Sequence, residues 1–164
     1  MGAVPGRSTR SLDSMSHSST TCVFCDIVAG REEADFVFRD NLVCAFMDIQ
    51  PVNPGHLLVV PIAHSPYLAD LDANVGAHMF HLGHRLADAI RRSGVRCEGI
   101  NLFLADGAAA GQEILHAHLH VFPRYDGDGF GLRHPPQYFA LPERSALQSV
   151  ADLVRRALAE AHAV

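Results

Sequence analysis

Apolar residues fall along this chain in two rhythms. Short runs over residues 36–39, 42–47, 57–61, 100–104 and 115–122 are rich in Val, Ile, Leu and Phe and are bounded by turn-forming residues, so they predict strands. Asp40-Asn41 between the first two predicts a hairpin. Between the third and fourth runs, Val75, Met79, Leu82, Leu86 and Ile90 recur at steps of three and four, which is one face of an amphipathic helix. Asp72 or Asn74 is available as its cap and Gly94 as its stop. A second periodic set, Leu147, Val150, Val154, Ala157 and Ala161, follows Pro142 and predicts a C-terminal helix over about residues 143–161. Strands gathered around one long helix predict an α+β fold with a mainly antiparallel sheet.

Length and composition narrow this further. With 164 residues, 48% of them hydrophobic, the chain holds material for one ordinary core, so a single domain over residues 22–164 is expected. Residues 1–21 are rich in Ser, Thr, Gly and Arg without periodicity and predict a flexible arm. The net charge of -5 lacks the basic footprint that drives binding to polymeric nucleic acid or an anionic membrane, so a nucleotide partner would be a small one. No apolar run approaches the ~18 residues of a spanning helix and the N-terminal stretch lacks the apolar centre of a secretion signal. A cytoplasmic location is expected. There Cys22, Cys25, Cys44 and Cys97 would be thiols or metal ligands rather than disulfides; Cys44 sits in an apolar run and reads as core.

Candidate chemistry concentrates in residues 111–124, Gly-Gln-Glu-Ile-Leu-His-Ala-His-Leu-His-Val-Phe-Pro-Arg. On a strand, His116, His118, His120 and Phe122 would share one face while Ala117, Leu119 and Val121 packed inward. Neutral imidazole is a nucleophile near pH 7 that can form and release a phosphorylated intermediate. The small-residue loop 106–111 just before would let backbone N–H groups approach phosphate oxygens. Read without its surroundings, such a strand is equally a wet or metal-buffering His-rich face.

The surroundings settle on a resemblance. The segment His116 to Phe122 meets the motif His-φ-His-φ-His-φ-φ at every position, after Gly111-Gln112. Upstream, Cys22-Val-Phe-Cys-Asp-Ile-Val-Ala-Gly, Ala45-Phe-Met-Asp-Ile-Gln-Pro and Gly55-His-Leu-Leu-Val-Val-Pro follow in the expected order. Over residues 22–124 the chain resembles the histidine triad (HIT) family of nucleotide hydrolases and transferases. The resemblance implies a HIT-like fold with a five-stranded, mainly antiparallel sheet, one long helix and a C-terminal helix, and a homodimer formed through the long helix and a sheet edge. It implies His118 as the nucleophile that forms a nucleotidyl-histidine, His120 on the phosphate, His56 assisting, and Gly111 and Gln112 in the phosphate-binding turn. Asp48 would hold the ribose hydroxyls, and Val23, Phe24, Phe46 and Ile49 would surround the base, expected to be a purine, although from the residues alone all four apolar side chains read as ordinary core.

Cys22-x-x-Cys25 alone is half of a zinc site. By resemblance, His64 and His116 complete it as a structural Cys-Cys-His-His zinc; the other reading is two reduced thiols with His64 at the surface. Two positions depart from the family pattern. Ala105 stands where relatives carry Asn or Gln, and Glu113 where they carry Ser or Thr. The function implied is hydrolysis of a purine nucleoside phosphoramidate, nucleotide ester or dinucleoside polyphosphate at the α-phosphorus. The alternative is a nucleotide-binding regulatory module with vestigial catalysis.

Overall fold

A computed structural model of the protein describes residues 22–161. The arm expected over residues 1–21 lies outside the described residues. The chain divides after Asp128 into two units. The first holds helix α1 (Val23–Val28), strands β1 (Phe36–Arg39), β2 (Val43–Met47) and β3 (Leu57–Pro61), helix α2 (Ala73–Arg92), and strands β4 (Gly99–Phe103) and β5 (Leu119–Arg124). The second holds a short 3-10 turn and helix α3 (Arg144–Ala161), which spans nearly all of the stretch expected to be helical.

The five strands form one sheet in the order β1-β2-β3-β5-β4, with every pairing antiparallel. β2 and β3 read as unbroken apolar runs because both of their faces are covered. On one face Val43, Ala45, Leu57, Val59, Leu119 and Val121 pack against Met79, Leu82, Leu86 and Ile90, the stripe that the helical periodicity marked on α2. On the other face Cys44, Phe46, Leu58 and Val60 pack against Phe24 and Ile27 of α1. Burial of the Cys44 thiol pushes its pKa up to about 11, in keeping with its reading as core.

Local chemistry explains the boundaries. Asp72 is the cap of α2, its carboxylate accepting the N–H groups of Asn74 and Val75. At the hairpin, Asp40 accepts the N–H groups of Leu42 and Val43, both at 2.8 Å, and faces His78 Nε2 of α2 at 2.7 Å. The Val43 bond first and His78 second hold the Asp40 carboxyl down near 2. Gly83 lets α2 approach the sheet, since a Cβ there would stand 2.8 Å from a Leu119 methyl.

Two elements differ from expectation. Residues 23–28 form a helix that no periodicity announced, because a six-residue segment is too short to display one. The strand expected over 115–122 begins only at Leu119, so His116 and His118 lie on the extended approach to β5 rather than within it. There the backbone bonds elsewhere: His116 N–H donates to the Ile114 carbonyl and Ala117 N–H to the Ser65 carbonyl. That detour turns His116 away from the other two histidines.

Candidate active site and metal centre

The approach to β5 is shaped by Gln112. Its side chain is buried, accepting the Gly107 N–H at 2.8 Å and donating to the carbonyls of Pro66 and Ile114. Gly107 and Gly111 bracket this turn at φ values of 87° and 89°, a region that disfavours side chains. Gln112 therefore braces the turn from within. Beyond it, His116 is fully buried, with Nε2 at 3.0 Å from the Pro61 carbonyl. A carbonyl only accepts, so the proton sits on Nε2 and the lone pair of Nδ1 faces outward.

That lone pair meets three more donors. Cys22 Sγ lies 3.4 Å from His116 Nδ1, Cys25 Sγ lies 3.6 Å from it, and His64 Nδ1 lies 3.3 Å from both His116 Nδ1 and Cys25 Sγ. All four atoms fall within 4.8 Å of one another. Zinc bonds of about 2.0–2.3 Å give tetrahedral edges of roughly 3.3–3.8 Å, so these residues fit zinc in number, type and spacing. Burial, followed by the adjacent Cys22, pushes the Cys25 thiol up, a cost that a bound cation would offset. Zinc held here would pin α1, the end of β3 and the approach to β5 together, a structural role.

The same tautomer logic runs through the rest of the triad. His118 Nδ1 lies 2.7 Å from the His116 carbonyl, so Nδ1 carries the proton and Nε2 carries a lone pair. The Val52 N–H donates to His56 Nδ1 at 3.1 Å, which places the His56 proton on Nε2. From there it is donated to His120 Nδ1 at 2.9 Å, leaving His120 Nε2–H as an outward donor. Phe24 supports the His118 ring edge-on, with centroids 5.1 Å apart, and Phe122 backs His56. Asp48 closes the group, its Oδ2 lying 3.5 Å from His56 Nδ1 and 3.9 Å from His120 Nδ1 while Oδ1 accepts the Gln50 N–H. Asp48, His56 and His120 also form a geometric cluster of possible ligands. Within this trio the His56 and His120 nitrogens that face one another are joined by a hydrogen bond.

Burial is the main force on these rings. It pushes His56 down, against the pull of Asp48, and pushes His120 down to about 4, with His118 and His56 adding to the effect and Asp48 opposing it. A histidine depressed in the folded state charges first in the unfolded state, so the unfolded chain binds more protons between about pH 6.5 and 4. Stability is thus full above pH 6.5 and is lost as pH falls through that window. We expect the melting temperature to fall by about 5 °C or more across it. His120→Asn should visibly flatten the slope, and an unchanged slope in that variant would contradict the assignment.

The expected base-binding residues divide. Val23 is 40% exposed and Ile49 is 91% exposed, both open to a ligand, whereas Phe24 and Phe46 are buried and pack edge to face. Ala105 is buried, so that position lines the core, and Glu113 is exposed on the turn. Two features escaped the sequence. One is the Val52–His56–His120 relay, which depends on contacts across 64 residues. The other is Asn53, buried and donating to the Pro123 carbonyl and to Asp128, which ties the loop carrying Asp48 and His56 to the end of β5.

An α+β fold presenting hydrogen-bonded, largely buried imidazoles beside a Cys-Cys-His-His cluster spaced to hold a metal ion defines a histidine-based candidate site. Residues 29–127 match the family described as HIT domain. The chain belongs to the HIT family. It is similar to a zinc-bound histidine triad family protein from Mycobacterium smegmatis, 40% identical, with 72% of this chain and 85% of that one covered and a TM-score of 0.65. It also resembles a HIT family protein from Bacillus anthracis, 32% identical, covering 84% of this chain and 97% of that one at a TM-score of 0.76. An adenylylsulfatase of Arabidopsis thaliana is 34% identical over 107 residues, which are 65% of this chain and 54% of that protein. No helix of the described residues is long and apolar enough to cross a membrane.

Proposed function

We propose that the protein is a nucleotide hydrolase that attacks the α-phosphorus of a purine nucleoside phosphoramidate or related nucleotide through His118. The observation that carries this reading is the His118 Nδ1 contact with the His116 carbonyl at 2.7 Å, which leaves Nε2 as a lone pair in a ring that burial and Phe24 hold still. Nε2 bonds to phosphorus as the bond to the departing amine or oxygen breaks; water then cleaves the nucleotidyl-imidazole and restores the ring. His120 Nε2–H is the donor available to charge developing on a phosphoryl oxygen. Asp48 can accept two ribose hydroxyls while exposed Val23 and Ile49 flank a flat base. Zinc at Cys22, Cys25, His64 and His116 would keep the His116 carbonyl in place. The adenylylsulfatase relative and the zinc-bound relative support the two halves of this reading.

Rapid quenching during turnover of adenosine 5′-phosphoramidate tests it directly. We expect one adenylyl group on the peptide containing His118, labile to acid and stable to base. Turnover without any such adduct would remove the covalent step.

We also propose a homodimer joined through α2 and the open edge of β4. Leu68, Phe80, Leu102 and Leu104 leave an apolar recess there, and Phe80 is 62% exposed. Sedimentation at micromolar concentration should give twice the chain mass; a monomer would sink the pairing.

A further inference from the structure

The loop between β2 and β3 closes on the end of β5 through a carboxylate that is sealed from solvent. The Asp128 side chain is 3% exposed, and it accepts Arg124 Nε–H and Nη2–H, the Tyr125 N–H and Asn53 Nδ2–H. Asn53, itself buried, gives another amide hydrogen to the Pro123 carbonyl at 2.9 Å. Gly55, two residues on, comes so near that a Cβ there would stand 3.4 Å from the Pro123 ring. A buried ion pair often adds no more stability than apolar side chains of the same volume, so core packing explains poorly why a carboxylate stands here. Charge-assisted hydrogen bonds do supply direction, and these fix the loop in one position against β5.

The segment so held decides a tautomer. Val52, beside Asn53, donates its N–H to His56 Nδ1 at 3.1 Å, and the Asn53 carbonyl accepts the His56 N–H. A competitor stands close by: Asp48 Oδ2 lies 3.5 Å from the same Nδ1, and a carboxylate there favours an Nδ1 proton. With the Val52 N–H in place, Nδ1 stays an acceptor, His56 Nε2–H donates to His120 Nδ1 at 2.9 Å, and His120 keeps its proton on Nε2. With that N–H withdrawn, the His56 proton moves to Nδ1 beside Asp48. His56 Nε2 then becomes the acceptor, His120 Nδ1 must donate to it, and His120 Nε2 loses its proton. Each ring keeps one proton, relocated by exchange with water.

We propose that Asn53 and Asp128 are positioning residues: this clamp holds the Val52 N–H on His56 and thereby keeps on His120 Nε2 the proton offered to the phosphoryl group. Its effect on turnover rests on the hydrolase reading above, whereas the tautomers themselves do not depend on it. Asp48 is anchored separately, its N–H donating to the His56 carbonyl and its Oδ1 accepting the Gln50 N–H. Loss of the clamp therefore acts on kcat more than on KM.

The experiment compares the unmodified full chain with Asn53→Ala, Asp128→Asn and Asp72→Ala, the last removing the α2 cap as a control for lost stability. Imidazole nitrogen and proton NMR spectra read the tautomers. His56 and His120 should both carry Nε2–H in the unmodified protein and in Asp72→Ala, and Nδ1–H forms should emerge in Asn53→Ala and Asp128→Asn. In these two clamp variants kcat for adenosine 5′-phosphoramidate should fall about tenfold, less than on outright removal of the His120 donor, with KM changed by no more than about twofold. Asn53→Ala should add nothing to the loss in His120→Asn, because it acts through that ring. Asp128→Asn keeps the side-chain shape and serves if the alanine variant folds poorly. Nε2–H retained on both rings in the clamp variants, or a kcat loss as large in the His120→Asn background as without it, overturns the positioning role. Failure of the unmodified protein to cleave the phosphoramidate would instead overturn the hydrolase reading, and the spectra would still decide the clamp.

Discussion

Replacing His118 by Asn is expected to lower kcat for adenosine 5′-phosphoramidate by about 10⁴-fold or more while leaving the fold and nucleotide affinity nearly intact. On the proposed mechanism the magnitude follows from removal of the group that bonds to phosphorus, since a nucleophile acting with its neighbours as a unit accounts for most of the chemical acceleration. Asn is the informative choice. Its amide N–H can still donate to the His116 carbonyl, replacing the 2.7 Å contact made by Nδ1, but no lone pair remains where Nε2 stood. The edge-on support from Phe24 is retained in part, so unfolding midpoints should change little. Replacement of His120 by Asn should cost less, about 10²–10³-fold, because it removes one donor to the phosphoryl oxygen rather than the attacking atom. A His118→Asn protein that hydrolyses the phosphoramidate within tenfold of the unmodified rate would end the proposal. Lost nucleotide affinity in the same variant would point instead to a binding role for that ring.

Much of this arrangement was legible in the sequence, and the parts that were not share a cause. The strand runs, the hairpin at Asp40 and the α2 stripe emerged because periodic burial leaves its mark within a few residues, whereas the C-terminal helix emerged from the spacing of its apolar residues alone, none of its residues being buried. Helix α1 was invisible because six residues hold fewer than two turns. Strict alternation suggested three histidines on one strand face, yet the backbone bond from Ala117 to Ser65 lies outside any local pattern and delays β5 to Leu119. The place of Gln112 was equally hidden. A glutamine in a Gly-rich turn looks like a ligand contact until its three inward hydrogen bonds are seen. Tautomers depend still more on distant partners: Pro61 decides His116, and Val52 decides His56 and through it His120.

Those partners join the Cys-Cys-His-His cluster to the triad, and on the zinc reading removal of the metal should show it. With free zinc ~1,000-fold above its dissociation constant, binding to the folded chain alone contributes about 4 kcal/mol, so a strong chelator should lower the melting temperature by roughly 10–20 °C. Cys22→Ser should produce a similar loss and make the melting temperature indifferent to the chelator. Activity should fall as well. Without zinc, His116 keeps its Pro61 bond, but its Nδ1 shares only weak, competing hydrogen bonds with two thiols and His64 at 3.3–3.6 Å, and the carbonyl that fixes the His118 proton should loosen with it. Added zinc should restore both properties in the unmodified protein and neither in Cys22→Ser. Protein purified without a histidine tag should carry close to one zinc per chain by elemental analysis. A preparation with far less metal, whose melting temperature and turnover ignore both chelator and added zinc, would show that the four donors meet for another reason and that His118 is held by packing alone.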